Sequence, residues 1–410
     1  MRQSKLFTKA IKETPKDETS YNAQTLIRAG FIDKLSSGIY TFLPLGLRVH
    51  NKICNIIREE MNLIGGQEIL MPALTPKEVW ERTDRWDNFD ALFKLRGGDD
   101  KDYALGATHE EVVTPTIGKF IFSYKDLSLA VYQIQTKFRN EKRAKAGLMR
   151  GREFSMKDLY SFHADEESLN EYYKIAQKAY FKIFDRLGLL DITYLTYASG
   201  GAFSQYSHEF QSLTEAGEDT IHICRDCKVA INEEIIAENS ACPACGNSKL
   251  ELAKAVEVGN IFKLGTKFSA PFNIKFKDQN GQEQPVIMGC YGMGPSRLMG
   301  TVVEVSHDDK GIIWPDSIAP FKVHLLDFNQ GEASDQLYKD LINQNIEVLY
   351  NDLEASPGQK MAEADLIGCP IRLIMSAKTK AEGAVELKHR HQAESQLVKL
   401  SDLTDYILKQ

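Results

Sequence analysis

Apolar side chains along this chain keep two rhythms in turn, one of helices and one of strands. Between Leu47 and Ile64 they fall at Val49, Ile53, Ile56, Ile57, Met61 and Ile64, the spacing of an amphipathic helix. Gly65-Gly66 ends that helix, and Gln67 to Met71 reads as a strand stopped by Pro72. From Tyr103 to Tyr160 the pattern becomes strand-rich. Leu129 to Phe138 and Glu153 to Tyr160 are β-type runs joined by a basic loop, Lys142 to Gly151, which predicts an antiparallel pair. Asp165 to Leu187 is helical again, with apolar positions at Leu169, Tyr173, Ile175, Ala176, Ala179, Ile183, Phe184 and Leu187. Short strands are expected at Ile261 to Leu264, Phe272 to Phe276 and Val286 to Met288, before the glycine-rich segment Gly289 to Gly294.

Trp314-Pro315-Asp316 and Ala319-Pro320 read as a linker. Beyond it, strands (Val323 to Leu326, Ile346 to Tyr350, Ile371 to Met375, Val385 to Lys388) alternate with helices near Asp335 to Ile342, Lys360 to Ile367 and Ser401. That alternation predicts a separate small α/β domain over 317–410, behind a larger domain over 1–316. A chain of 410 residues is long enough for two or three domains. No apolar run approaches the roughly 20 residues that span a bilayer. Met1 to Glu18 lacks the apolar core of a signal peptide, so no membrane association and a cytoplasmic location are expected.

The net charge of −7 argues against a surface that is basic throughout, but a nucleic-acid site needs only a local patch. Lys137, Arg139, Lys142, Arg143, Lys145, Arg150, Arg152 and Lys157 fall in one stretch, opposed there only by Glu141 and Glu153. Of seven cysteines, Cys54, Cys290 and Cys369 stand alone. Cys224, Cys227, Cys242 and Cys245 form two C-x2-C pairs, a zinc-site spacing. In a reducing compartment two disulfides are disfavoured, so four thiolates on one structural Zn2+ are expected, within a small zinc-ribbon insert over 221–250.

Three signatures follow one another: the helix and strand ending at Pro72; Phe138-Arg139-Asn140-Glu141 with Arg150 and Phe154 beyond the loop; and Gly289-Cys290-Tyr291-Gly292-Met293-Gly294-Pro295-Ser296-Arg297. On a strand, Arg139 and Glu141 share one face, as do Arg152, Phe154, Met156, Asp158 and Tyr160. An adenine stacked between Phe154 and Arg297 would leave Arg139 to fork onto an α-phosphate. Attack of a carboxylate on that phosphate needs charge neutralisation and alignment rather than a nucleophilic side chain.

In this order the signatures resemble motifs 1, 2 and 3 of class II aminoacyl-tRNA synthetases. Thr108-His109-Glu110-Glu111, the run from Met149 to His163, Ser207-His208-Glu209-Phe210-Gln211 and Gly311 to Asp316 look more narrowly like bacterial prolyl-tRNA synthetases. So does the terminal domain, in Ser356-Pro357-Gly358 and Leu366-Ile367-Gly368. The resemblance implies an α+β catalytic domain with an antiparallel sheet, a C-terminal anticodon-binding domain and a homodimer. It also implies ATP and Mg2+ as cofactors, with L-proline and tRNA(Pro) as substrates. Arg139, Glu141 and Arg297 would be catalytic. Thr108, Glu110, Arg139, Met156, Asp158, Tyr160 and His163 would hold proline. Arg139, Glu141, Arg150, Phe154, Gln211 and Arg297 would hold ATP.

Two departures from the family pattern stand out. Where the family has very small residues before Ser207, this chain has Gly201-Ala202-Phe203-Ser204-Gln205-Tyr206. The large editing insertion between motifs 2 and 3 is replaced by the four-cysteine segment. The rival readings are a seryl, threonyl or glycyl enzyme of the same class and a non-catalytic RNA-binding paralogue. The Thr108–Glu110 loop and the terminal domain weigh against the first, and the intact Arg139, Glu141, Phe154 and Arg297 against the second.

Overall fold

A computed structural model describes residues 1–15, 18–238 and 241–409. The chain divides into two compact units, one of Ser36–Ile39 and Ile53–Thr301, the other of Met1–Leu35, Tyr40–Lys52 and Val302–Gln410.

The larger unit is built on a nine-stranded sheet. Its order is Tyr206–Leu213, Thr193–Ser199, Val229–Asn232, Asp219–Cys224, Glu251–Gly265, Ile287–Met293, Glu153–His163, Leu129–Phe138, Gly66–Glu68. Most pairings are antiparallel; Gly66–Glu68 runs parallel to Leu129–Phe138, and Val229–Asn232 parallel to Thr193–Ser199. Strand Tyr206–Leu213 also pairs with Glu251–Gly265, so five strands close into a ring around Tyr194, Ile221, Ile223, Ala230 and Ala255.

The expected helix spans Pro44–Leu63 with Val49, Ile53, Ile56, Ile57 and Met61 buried, and Gly65 turns the chain through a left-handed conformation. The strand behind it is shorter than expected, ending at Glu68. Helix Glu166–Arg186 starts on Asp165, whose side chain accepts from the Ser168 amide at 2.8 Å. It buries Leu169, Tyr173, Ala176, Ala179, Tyr180, Ile183 and Phe184, whereas Ile175 lies on its outer side. This helix covers one face of the sheet. The other face is left for chemistry.

The expected strand at Phe272 to Phe276 is reduced to Lys275–Lys277. Met288 and Gly289 to Met293 lie in strand Ile287–Met293, and Gly294 joins it to helix Pro295–Val305. A three-stranded sheet of Leu74–Pro76, Asp102–Leu105 and Phe93–Arg96 was not legible in the pattern; it leads directly into the Thr108 loop.

In the other unit, Asn351-ended Val348–Asn351, Val323–Asp327 and Ile371–Met375 run parallel and Ala384–His389 and Gln396–Lys399 complete the sheet antiparallel. Helices Glu332–Asn343, Pro357–Ile367 and Leu400–Leu408 stand where the alternation placed them; the short helix Ala377–Ala381 and strand Gln396–Lys399 are additions. No helix among the described residues is long and apolar enough to cross a membrane.

Candidate active site

Directly opposed residues of an antiparallel pair point to the same side of a sheet. Gln133 opposes Asp158, Asp158 opposes Gly292, Gly292 opposes Asn260, and Asn260 opposes Glu209, so one row of facing positions, polar except at Gly292, crosses five strands. The alternation along Glu153–His163 puts Phe154, Met156 and Asp158 on this same open face. They line a cavity of 350 Å3 together with Thr108, Glu110, Cys290 and Arg139.

Glu110 opens helix Glu110–Ile117 and is fully buried. Its carboxylate accepts from Thr108 Oγ1 at 2.5 Å, from the Cys290 thiol at 3.3 Å and from Arg85 at 3.4 Å. Between these two residues His109 is clamped from both sides. Its Nε2–H donates to the Pro72 carbonyl at 2.9 Å, and its Nδ1 accepts from the Lys137 ammonium. Burial, with Lys137 beside it, lowers His109 to about 4, so the ring is neutral and this tautomer is fixed. Lys137 also donates to Asp158 at 2.9 Å, as do Gln133 at 3.0 Å and the Tyr160 hydroxyl at 2.9 Å. Burial alone would raise the Asp158 carboxyl; the Lys137 ammonium and the hydrogen bonds from Lys137 and Gln133 outweigh it and hold it below the ordinary range.

A second cavity of 240 Å3 is lined by Arg139, Glu141, Arg150, Phe154, Glu257 and Arg297. Arg139 lies 5.4 Å from the centre of the Phe154 ring, Arg150 pairs with Glu141 at 2.9 Å, and Arg297 pairs with Glu257 at 3.0 Å. Burial and the neighbouring Arg297 make the cationic form of Arg139 costly, which is an electrostatic demand for an anion. Carboxylates nearby carry the opposite demand. Burial, with Glu257 close by, raises Glu209 to about 8, and burial raises Asp219. A divalent cation beside these carboxyls would offset the burial that raises them.

The described residues lining these cavities do not include Tyr160, His163 or Gln211. Tyr160 lies beneath the floor, linking Asp158 to the His109 amide. His163 has odd parity on a strand whose even positions face the site, so it turns to Ser161, Ser128 and Ser168 instead. Gln211 is buried behind the wall, donating to Glu209 and Asp219 at 2.8 Å each. The basic stretch also shrinks. Lys137 and Lys157 are fully buried, Lys157 between the Tyr180 hydroxyl and the Tyr291 carbonyl, and burial lowers it to about 7. Lys142, Arg143 and Lys145 remain exposed. Sequence reasoning passed over Arg85 and Glu257, and read Lys137 only as part of the basic patch. For Lys137 a signal existed, since Gln133, Gln135 and Lys137 make a polar run at period two within a strand that opens on apolar residues.

The four clustered cysteines bring their sulfurs within 4.8 Å of one another, with closest approaches of 3.3, 3.6 and 3.7 Å. Tetrahedral Zn2+ with bonds of about 2.3 Å places thiolates about 3.8 Å apart, so the set fits that ion. The insert is no appendage. Its strands Asp219–Cys224 and Val229–Asn232 are members of the main sheet.

A model of the class II tRNA synthetase core domain (G, H, P, S and T) matches residues 93–306, and one of the anticodon-binding domain matches 317–410. The proline–tRNA ligase of Wolbachia sp. subsp. Brugia malayi is 39% identical over 425 residues, covering 99% of both chains. That of Moorella thermoacetica is 32% identical over 563 positions, covering 99% of this chain and 98% of its own. Since this chain has 410 residues, the Moorella protein carries a long stretch without a counterpart here. The fold is also that of a Giardia lamblia prolyl-tRNA synthetase solved with prolyl-adenylate, at TM-score 0.77 and 20% identity, over 94% of this chain and 75% of the other. With relatives aligned end to end and both domain models in their expected places, this chain belongs to the proline–tRNA ligases of class II.

Proposed function

We propose that the two cavities bind L-proline and ATP side by side, and that the chain forms prolyl-adenylate and transfers the prolyl group to tRNA(Pro). One observation carries this reading: Arg139 lines both the cavity of Thr108 and Glu110 and the cavity of Phe154 and Arg297. A secondary ammonium is matched by the buried Glu110 carboxylate, oriented by Thr108 and Cys290. The carboxylate of the amino acid then faces the α-phosphate across Arg139, whose planar fork can hold both anions. One of its oxygens bonds to phosphorus while the bond to the leaving pyrophosphate breaks; no side chain exchanges a proton. A ribose hydroxyl of the tRNA end then attacks the carbonyl carbon, its proton passes to an oxygen of the adenylate phosphate, and the acyl–phosphate bond breaks to release AMP.

Phe154 and Arg297 flank the space for an adenine, with Glu141 and Arg150 at its rim. Asp219 and Glu257 would hold Mg2+, which neutralises the phosphates when bound. Cys224, Cys227, Cys242 and Cys245 would hold a structural Zn2+. Residues 1–316 form the catalytic domain with its insert at 221–250, and 317–410 the anticodon-binding domain. Exposed Lys142, Arg143 and Lys145 supply charge for the tRNA backbone. A cytoplasmic homodimer completes the reading by family resemblance. ATP–pyrophosphate exchange with a panel of amino acids tests it: proline should drive exchange far above seryl, threonyl or glycyl substrates, and exchange without proline preference would overturn it.

A further inference from the structure

The turn before strand Tyr206–Leu213 carries a phenylalanine where the family pattern has very small residues. This turn is tightly built. The Phe203 and Ser204 amides both donate to the Gly200 carbonyl, at 3.0 and 3.3 Å, and a Cβ on Gly200 would meet the Ser204 carbonyl at 2.2 Å. Its geometry therefore aims the Phe203 ring inward. The ring packs on Phe262 with centroids 4.8 Å apart, and the Arg85 guanidinium carbon lies 4.9 Å from its centre. Phe262 stands opposite Cys290 in the sheet. Arg85 and Cys290 both donate to Glu110. Two neighbours of the ring thus lead directly to the carboxylate proposed to hold the imino group, and Phe203 lines the same cavity as Glu110, Met156 and Cys290.

We propose that Phe203 is a specificity-determining wall of the amino-acid cavity: its ring occupies the volume that a larger substrate would need. This rests on the reading of that cavity as the proline site. An aromatic wall offers the pyrrolidine ring a flat apolar surface and gives way poorly, because both Phe262 and Arg85 pack on it. Shrinking it should loosen proline and admit bulkier imino acids in the same step.

The experiment compares proline with pipecolate, its six-membered-ring homologue, in ATP–pyrophosphate exchange by wild type, Phe203→Ala and Phe203→Leu. For Phe203→Ala the KM for proline should rise about tenfold or more, with kcat and the KM for ATP little changed, because apolar contact to one substrate is lost. The pipecolate-to-proline ratio of kcat/KM should rise by about tenfold or more. Phe203→Leu, which keeps bulk, should return both quantities most of the way to wild type; a leucine variant as relaxed as the alanine variant would overturn the wall. An active alanine variant with an unchanged ratio would overturn it too. A wild-type protein that shows no proline-dependent exchange would instead overturn the reading of the cavity.

Discussion

Arg85 donates through one guanidinium nitrogen to Glu111 at 2.9 Å and to Glu110 at 3.4 Å, and all three side chains are buried. Four aromatic rings surround that guanidinium, those of Trp80, Phe89, Phe203 and Phe268, at 4.3 to 5.6 Å from its carbon. Arg85 is thus a positioning residue for Glu110 without lining the cavity itself. Removing one member of a buried ion pair typically costs about 3–5 kcal/mol, because the remaining charges stay buried. Arg85→Met should lose stability on that scale in thermal or urea unfolding and should raise the KM for proline far more than that for ATP. Arg85→Lys should recover part of the stability but little of the proline affinity, since an ammonium cannot bridge two carboxylates and stack at once. Wild-type stability and KM in the methionine variant would remove Arg85 from this role.

Burial raises the Glu111 carboxyl from its ordinary 4.5 to about 7, even with Arg85 beside it. An acid that holds its proton more tightly in the folded state contributes stability that is fully present below about pH 4.5 and lost as pH rises through about 7. Glu111→Gln keeps the shape and cannot ionise. Its stability relative to wild type should therefore improve with rising pH across that window, by about 1 to 3 kcal/mol in all. Urea unfolding of both proteins at about pH 5 and about pH 7.5 measures this difference directly. A constant difference would mean that Glu111 is ionised throughout.

Arg139 faces both cavities and sits buried beside a second guanidinium, a cost that Glu257 and Glu110 offset in part and an anionic ligand would offset further. Arg139→Ala should abolish proline-dependent pyrophosphate exchange while leaving the far-UV circular dichroism spectrum and the unfolding midpoint close to wild type. Lysine should restore little, because one point charge cannot engage carboxylate and phosphate together. Near wild-type exchange in the alanine variant would refute the assignment.

Much of this site could be read from strand parity. Phe154, Met156 and Asp158 share a face because alternate residues must, and the same rule excludes His163, an odd position in an even set. The family resemblance overrode that rule, and the structure restores it. The polar run Gln133, Gln135, Lys137 carried a similar message: buried polar groups at period two announce partners across a sheet. Arg85 left no such trace. Its aromatic neighbours come from positions as far apart as Trp80 and Phe268, and only the folded chain brings them together. The cysteine spacing picked out four thiols that the fold brings together but not their setting, because hydrogen bonding of Asp219–Cys224 and Val229–Asn232 into the main sheet depends on partners distant in sequence.

That setting sharpens what metal loss should do. Freshly purified, reduced protein should contain about one zinc per chain, lost when Cys224→Ser and Cys227→Ser are combined. Cys224 ends a strand that pairs with Glu251–Gly265, and Glu257 on that strand lines the site. Chelation should therefore lower the unfolding temperature and reduce exchange activity together, although all four ligands are thiolates and leave no position for catalysis. Protein free of metal yet fully stable and active would rule out a structural zinc.

A cavity shaped for proline cannot strongly exclude alanine, which is smaller and merely forgoes contact with Met156 and the aromatic wall. One missing methylene is worth roughly 1–3 kcal/mol, so binding alone separates the two by a factor of roughly 10 to 200 per group. In family members with the large insertion, a second site hydrolyses the resulting Ala-tRNA(Pro). If the four-cysteine insert stands in that place, as the sequence reading expects, two of its strands are committed to the main sheet and its described apolar residues pack there, which leaves little room for a hydrolytic pocket. The protein should therefore activate alanine measurably and leave preformed Ala-tRNA(Pro) intact. Incubating that substrate with the enzyme and following deacylation against the spontaneous rate decides the matter. Clear acceleration would mean that an editing site lies elsewhere in the chain; none would mean that proofreading, where the cell has it, is the work of a separate hydrolase.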